Sequence, residues 1–155
     1  MSILKEADFY YGAVLSTLIN RGICPALVES GKDRQIYDFM TNKKEFRLFV
    51  KYRSRPIGTK TPEYSSWQFH FSDDDKHELT MFMSESKHLS VGLVCGESQL
   101  NKSQYAVLHR EEVIRLFDEQ KDSFTISRKT GEKAFRISIG GGRENALQIP
   151  SNRLY

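Results

Sequence analysis

The chain of 155 residues contains 39% hydrophobic and 28% charged residues, a composition that is typical of a folded globular protein and excludes intrinsic disorder. Its length predicts one domain, residues 1–155, with a core of its own. A net charge of +3 is too small to identify a nucleic-acid-binding protein by itself, and ten Phe with seven Tyr favour strands over helices.

The first half of the chain reads as one helix followed by three strands. Ser2 can cap the helix, and Gly22 follows it as a residue that can adopt the left-handed conformation. Two apolar runs separated by a polar turn then predict a β-hairpin. The predicted elements are a helix at 2–21, a strand at 23–28, and hairpin strands at 36–40 and 46–52.

The second half predicts a series of strands interrupted by one helix. The three aspartates at 73–75 are interpreted as a solvated turn, because adjacent carboxylates repel one another and point in different directions along a strand. The predicted strands are 67–71, 78–83, 88–95, 124–128 and 134–139, with polar loops at 53–66 and 96–106, a helix at 111–120, a bend at 140–142 and a last strand or turn within 146–155.

The second hairpin strand alternates in a way that assigns its side chains to two faces of the sheet. Lys51 lies on one face, and Asp38 lies on the preceding strand. An acid and a lysine on adjacent strands can hold a metal ion and a phosphate at the same time, so these two residues are the candidate catalytic pair. A purely structural role is the alternative, because an Asp at the start of a strand often accepts hydrogen bonds from backbone amides and an exposed lysine on a strand is ordinary. The apolar positions expected to be buried are Val14, Leu18, Phe46, Leu48, Val50 and Val91.

Basic residues are concentrated between positions 43 and 60, where the sequence has seven Lys or Arg and one acid. Such a stripe is typical of a phosphate-binding surface, although it can also protect a strand edge from aggregation. It predicts double-stranded DNA as a partner, with a homodimer or another protein partner as the alternative. With Lys51 set apart, the predicted nucleic-acid contacts are Lys43, Lys44, Arg47, Arg53, Arg55 and Lys60.

Other classes of protein are less well supported. No apolar run approaches the length of a membrane span, and residues 1–12 lack a signal-peptide core, which predicts a cytoplasmic protein without a membrane partner. The four histidines show no metal-ligand spacing. Cys24 and Cys95 have no CxxC spacing and are expected to be buried small hydrophobic residues. The sequence thus argues against a His- or Cys-dependent enzyme.

Three short motifs resemble the PD-(D/E)XK nuclease superfamily, in particular its resolvase-like branch. They are Arg21-Gly22 after the leading helix, Ile36-Tyr37-Asp38 on a strand, and Arg47-Leu48-Phe49-Val50-Lys51 on the next strand. The likeness covers residues 1–55 and, more loosely, the strands through Cys95. It implies an α/β, restriction-endonuclease-like fold in which a mixed central sheet is flanked by helices. It also implies that Asp38 binds Mg²⁺ and that Lys51 positions the attacking water and the phosphate.

The chain departs from this pattern at two acidic positions. Where the superfamily has an acid two residues before the lysine, this chain has Phe49, and the position of the helix acid falls near Tyr11. Glu6, Asp8 or Glu29 would have to complete a Mg²⁺ site with Asp38, because hard cations need several oxygen ligands. The sequence therefore predicts a nucleic-acid-binding protein with a degraded metal site. The alternatives are a Mg²⁺-dependent DNA endonuclease or resolvase with a relocated acid, and a non-enzymatic protein-interaction domain.

Overall fold

The computed structural model describes residues 2–31, 33–58, 62–119, 122–139 and 145–155. Within these ranges nine strands form two sheets, accompanied by three α-helices and one 3₁₀ turn at Leu100–Lys102. In chain order the elements are α1 (Glu6–Asn20), β1 (Ala26–Ser30), β2 (Gln35–Met40), β3 (Glu45–Arg53), β4 (Tyr64–His70), α2 (Asp73–Met83), β5 (His88–Cys95), β6 (Gln104–His109), α3 (Arg110–Asp118), β7 (Ser123–Lys129), β8 (Ala134–Ile137) and β9 (Leu147–Pro150).

The first sheet, sheet A, is mixed and has the order β1-β2-β3-β5-β6. Its first three strands form an antiparallel meander, β3 and β5 are parallel, and β6 returns antiparallel to β5. A parallel pair needs a long crossover connection, which here contains β4 and α2. The second sheet, sheet B, has the order β4-β7-β8-β9 and is antiparallel throughout.

Helix α1 covers one face of sheet A. Val14 and Leu18 of the helix pack with Leu48 and Val50 of β3, and all four side chains are at most 3% exposed. The predicted alternation of β3 is therefore confirmed. Phe46, which was expected to be buried, is only half-buried because it lies at the hairpin end of β3, where it stacks on Phe39 at a ring distance of 5.1 Å.

The opposite face of sheet A builds the larger core. Phe49 and Val91 of sheet A meet the inner face of sheet B, and Leu79 of α2 and Leu116 of α3 complete the packing. The fold is thus α/β, with a mixed sheet that has α1 on one side and sheet B, α2 and α3 on the other. Among the described helices, none is long and apolar enough to cross a membrane.

Several predicted elements need correction. Residues 78–83 were predicted as a strand, but they belong to helix α2, because Ser72 and Asp75 form a capping box that starts the helix at Asp73. The predicted loop at 96–106 contains the first residues of β6. Helix α1 begins at Glu6 rather than at Ser2, since the Asp8 carboxylate accepts a hydrogen bond from the Lys5 amide at 2.8 Å.

Other boundaries shift by a few residues. Strand β1 starts at Ala26 instead of 23, directly after Pro25, which has no amide hydrogen for a strand ladder. Cys24 is exposed and not buried, while Cys95 is buried as expected. The predicted end of the third helix at Gln120 and the glycine bend at 140–142 lie outside the described residues.

Candidate functional site

Asp38 is neutralised by two basic side chains. Its carboxylate accepts hydrogen bonds from Arg47 Nε at 2.8 Å and Nη2 at 3.0 Å, and from Lys87 Nζ at 2.6 Å. The hydrogen bonds from Arg47, together with those from Lys87, hold the pKa of Asp38 below its usual range although partial burial opposes them. Asp38 is therefore an ionised carboxylate whose charge is already balanced.

Asp38 and Lys51 lie on adjacent strands, as predicted, but they do not meet. The β2–β3 register places Asp38 of β2 opposite Arg47 of β3, and Lys51 lies four residues after Arg47 on β3. Four residues of β-strand span about 13 Å. The two predicted catalytic residues consequently belong to separate clusters at the two ends of β3.

The partner of Lys51 is Asp75, at the first turn of α2. Lys51 Nζ donates to Asp75 Oδ2 at 2.7 Å, and the Ser72 amide donates to the same oxygen at 3.0 Å. Both residues are buried, with Lys51 7% and Asp75 2% exposed. Burial alone would raise the pKa of Asp75, but hydrogen bonds from Lys51 and Arg34 outweigh it, so this pKa lies below its ordinary value.

Arg34 gathers three carboxylates beside this pair. Its guanidinium contacts Asp75 and Glu78 of α2, and its Nη2 lies 3.2 Å from Glu29 Oε1. Burial, followed by a hydrogen bond with Glu29, raises the pKa of Glu78 to about 7. The same hydrogen bond lowers the pKa of Glu29. Glu29 and Glu78 therefore share one proton near neutral pH, and the sequence-predicted metal ligand Glu29 is occupied by Arg34.

A cleft of about 430 Å³ opens next to Lys51, where the ends of several elements converge. Three of the predicted site residues line it, namely Glu6 from the start of α1, Lys51 and Arg53. Gly96 holds the end of β3 in place, because its amide donates to the Arg53 carbonyl at 2.7 Å. The complete lining is Glu6, Asp33, Lys51, Tyr52, Arg53, Ser54, Phe69, His70, Ser72 and Asp75.

The predicted basic stripe divides into two exposed ends. Arg53 and Arg55 lie at the cleft end of β3 and are exposed, and so are Lys43 and Lys44 in the turn before β3. Nine strand residues separate the two ends by about 30 Å. Arg47 between them is 11% exposed and bound to Asp38 and Glu85. The sixth predicted contact, Lys60, lies outside the described residues.

The side chains at this cleft do not fit the Mg²⁺ site that the resemblance implies. Phe49 is fully buried in the core, and Tyr11, at the position of the helix acid, is 2% exposed and packs edge-on against Tyr52. Asp75 already accepts hydrogen bonds from Lys51, Arg34 and Ser72. Within the described part of the chain, no group of three or more His, Cys, Asp or Glu side chains could hold a metal ion.

Asp33, Arg34, His70 and Asp75 were not identified as site residues from the sequence. A signal for Asp75 was present, because Ser72 and Asp75 have the spacing of a capping box. His70 was placed on a strand but not beside Lys51, since only the packing of sheet B against sheet A brings β4 to the end of β3. Asp33 and Arg34 precede β2 and belong to no sequence motif that predicts a functional site.

Comparisons with known proteins give no relative. The sequence matches no protein-family model, and neither the search of curated proteins nor that of solved structures gives a significant match.

Proposed function

We propose that this chain is a nucleic-acid-binding protein of restriction-endonuclease-like fold that has lost metal-dependent cleavage. The observation that carries the proposal is the pair of exposed guanidinium groups, Arg53 and Arg55, at the end of β3, where Arg53 lines the cleft beside Lys51. The carboxylates of Glu6 and Asp33 in the same lining oppose the binding of an anion inside the cleft. Neighbouring guanidinium groups attract phosphate groups, so the contacts are proposed at the exposed arginines.

The order of the elements supports the assignment of a restriction-endonuclease-like fold. The resemblance implies a leading helix, an aspartate strand and a lysine strand in a mixed sheet flanked by helices. Helix α1, strands β2 and β3, and the parallel neighbour β5 follow that order. Lys51 lies near the end of β3, next to the cleft.

In this proposal Lys51 supports the site and the exposed cations make the contacts. The Lys51 ammonium is bound to Asp75 and its side chain is 9% exposed. It fixes the start of α2 against the end of β3, so that Arg53 and His70 keep their positions at the mouth. Phosphate oxygens would accept hydrogen bonds from the guanidinium groups of Arg53 and Arg55, since charge-assisted hydrogen bonds are the stronger kind.

The proposal is tested by measuring duplex DNA binding by fluorescence anisotropy over a series of salt concentrations. Wild-type affinity should fall steeply with salt, because each contacted phosphate contributes a slope of about −0.9 in a double-logarithmic plot. Arg53→Gln with Arg55→Gln should flatten this slope by about 2 if both residues contact phosphates. Arg110→Gln with Arg115→Gln removes the same charge from two exposed residues of α3 that are not predicted contacts, and serves as the matched control.

Absence of binding at low ionic strength, or binding that does not respond to salt, would reject nucleic acid as the partner. It would leave the protein-interaction domain as the function to be pursued. Equal effects of the two double variants would show that the attraction is general and does not arise at the cleft.

One observation favours a second candidate, an endonuclease with relocated acids. Glu6 and Asp33 line the same cleft as Lys51. Two carboxylates from different elements could bind Mg²⁺ or Mn²⁺ if a nucleic-acid phosphate supplied further oxygens, as metal ions in such sites commonly require. Plasmid nicking that depends on Mg²⁺ and disappears in both Glu6→Gln and Asp33→Asn would establish this candidate. We expect no nicking above the level of a buffer control.

A further inference from the structure

The outer face of sheet B is mainly polar. Trp67, Phe69, Phe124 and Ile126 point inward and are buried in the core. Because side chains alternate along a strand, the residues between them point outward. The outward positions of the four strands are Tyr64, Ser66, Gln68, His70, Ser123, Thr125, Ser127, Lys129, Ala134, Arg136, Gln148 and Pro150.

None of these outward positions, all within the described strands, carries a carboxylate. The whole chain has 20 Asp and Glu in 155 residues, so acids are common elsewhere. A surface that serves only solubility usually mixes charges of both signs. Hydroxyl and amide groups, which donate and accept hydrogen bonds without repelling an anion, dominate this face instead.

The strand register arranges these groups in rows. One row crosses all four strands and consists of Ser66, Ser127, Arg136 and Gln148. Gln68 lies opposite Thr125, and His70 lies opposite Ser123, with 2.9 Å between His70 Nδ1 and Ser123 Oγ. Neighbouring strands are about 4.8 Å apart, so the rows form a regular lattice of polar groups.

The two cations of the face, Lys129 and Arg136, are balanced by acids, and the face meets the cleft at His70. At the far end, Lys129 lies 3.7 Å from Glu63 and Arg136 lies 3.2 Å from Glu132, so acids in the connecting segments balance these cations. At the near end His70 belongs to both the face and the lining of the cleft. The face is therefore continuous with the cleft.

We infer that the outer face of sheet B binds a single strand of nucleic acid that continues from the cleft. This inference rests on the proposed function and extends it. Phosphate and sugar oxygens would accept hydrogen bonds from Gln68, Thr125 and the Ser127 hydroxyl. Tyr64, with Lys129 Nζ at 5.9 Å from its ring, provides an aromatic side chain at the far end, and bases stack on such groups with little sequence preference.

The composition of the face favours this occupant over a protein. Protein-binding surfaces have an apolar centre enriched in large side chains, whereas the outward positions between Tyr64 and Pro150 are mainly small and polar. The rows run from one β-strand to the next, and a single strand of nucleic acid can follow them.

The experiment compares binding of a fluorescent single-stranded oligonucleotide to three double variants. Gln68→Glu with Thr125→Glu places two negative charges in the middle of the face and should weaken binding by about tenfold or more at low salt. Ala13→Glu with Ser16→Glu adds the same charge to the exposed surface of α1 and should change affinity by less than about twofold. Gln68→Ala with Thr125→Ala should weaken binding severalfold without changing the salt slope, because no charge is altered.

Three results would overturn the inference. Equal weakening by the two glutamate pairs would assign the effect to net charge. If the glutamate and alanine pairs on sheet B both bind normally while Arg53→Gln with Arg55→Gln binds weakly, the outer face of sheet B is not the binding surface. The proposed function would still stand. If the wild-type protein binds neither single-stranded nor duplex probes, both this inference and the proposed function are rejected. Fluorescence of Trp67, which is buried on the inner face of sheet B, reports whether each variant is folded. If the glutamate pair does not fold, the alanine pair provides the test.

Discussion

At the scale of single residues, the buried pair of Lys51 and Asp75 is the feature that most shapes the site. Lys51 is the residue by which the chain resembles a nuclease, yet its ammonium is bound to a carboxylate from α2. Such a pair contributes little net stability, because both charges lose their hydration. Its main effect is to fix one arrangement of α2 against β3, since removing either partner leaves an unpaired buried charge.

The variant Asp75→Ala should therefore destabilise the protein by about 3–5 kcal/mol, because Lys51 and Arg34 would lose a shared partner inside the protein. Urea denaturation measures this difference. Asp74→Ala removes an exposed carboxylate one residue earlier in the same helix and is the matched control, with a much smaller effect expected. The pair Lys51→Met with Asp75→Leu should be milder than Asp75→Ala alone. Equal losses from Asp74→Ala and Asp75→Ala would contradict this account of the pair.

Glu78 makes stability depend on pH near neutrality. Its pKa is raised from 4.5 to about 7 in the folded protein, so the folded state binds a proton more tightly than the unfolded state does. The resulting stabilisation is complete below about pH 4.5 and is lost as the pH rises through about 7. The free energy of unfolding of the wild type should thus decline between these values relative to Glu78→Gln. Parallel pH profiles of the two proteins, measured by urea denaturation, would show that Glu78 does not carry this proton.

At the scale of elements, helix α2 shows that a local capping signal and helical spacing determine the type of secondary structure. Leu79 and Phe82, spaced as on a helix, are buried together with Asp75, whereas the neighbouring Thr80 and Met81 are exposed. The strand predicted at 78–83 does not fit this pattern, because alternation cannot place both Leu79 and Phe82 on one face. The cap at Ser72 and Asp75 decides in favour of the helix.

Ser72→Ala should accordingly cost about 0.5–2 kcal/mol, because the Asp75 amide would lose the side-chain oxygen that accepts its hydrogen bond at 3.1 Å. Ser72→Thr keeps a capping hydroxyl and is the conservative control, expected to lose less. Thermal unfolding of the three proteins under one buffer condition gives the comparison. A Thr variant that is as unstable as the Ala variant would argue that side-chain packing at this position matters more than the cap.

At the scale of the whole molecule, the order of the first four elements and the faces of β3 were predictable from local patterns, while the assembly of the site was not. Leu48 and Val50 alternate with Lys51 in the sequence itself, so the register of β3 followed directly. The pairing of Lys51 with Asp75 depends on α2 returning to the end of β3. The position of α2 follows from the parallel pairing of β3 with β5 and from the packing of the two sheets. Neither of these can be predicted from a short sequence pattern.

The same packing determines the outcome of restoring the acid that the resemblance implies. Phe49 is 0% exposed and lies in the core shared by sheet A and sheet B, 6.3 Å from the ring of Phe71. In Phe49→Glu a carboxylate would replace an aromatic ring there, and burial of an unpaired charge costs several kcal/mol. We expect global destabilisation and no gain of Mn²⁺ binding by isothermal titration calorimetry. Phe49→Leu, which stays apolar, should lose only about 1–2 kcal/mol.

Since both sheets bury side chains in this core, the loss should be cooperative. Signals from Trp67 in sheet B and from far-ultraviolet circular dichroism should shift to lower urea concentrations together in Phe49→Glu. Low pH should partly restore stability, because a protonated glutamate is less costly to bury than a charged one. A stable Phe49→Glu protein that binds Mn²⁺ would place this side chain at the cleft instead of in the core, and would show that the geometry of a metal site persists there.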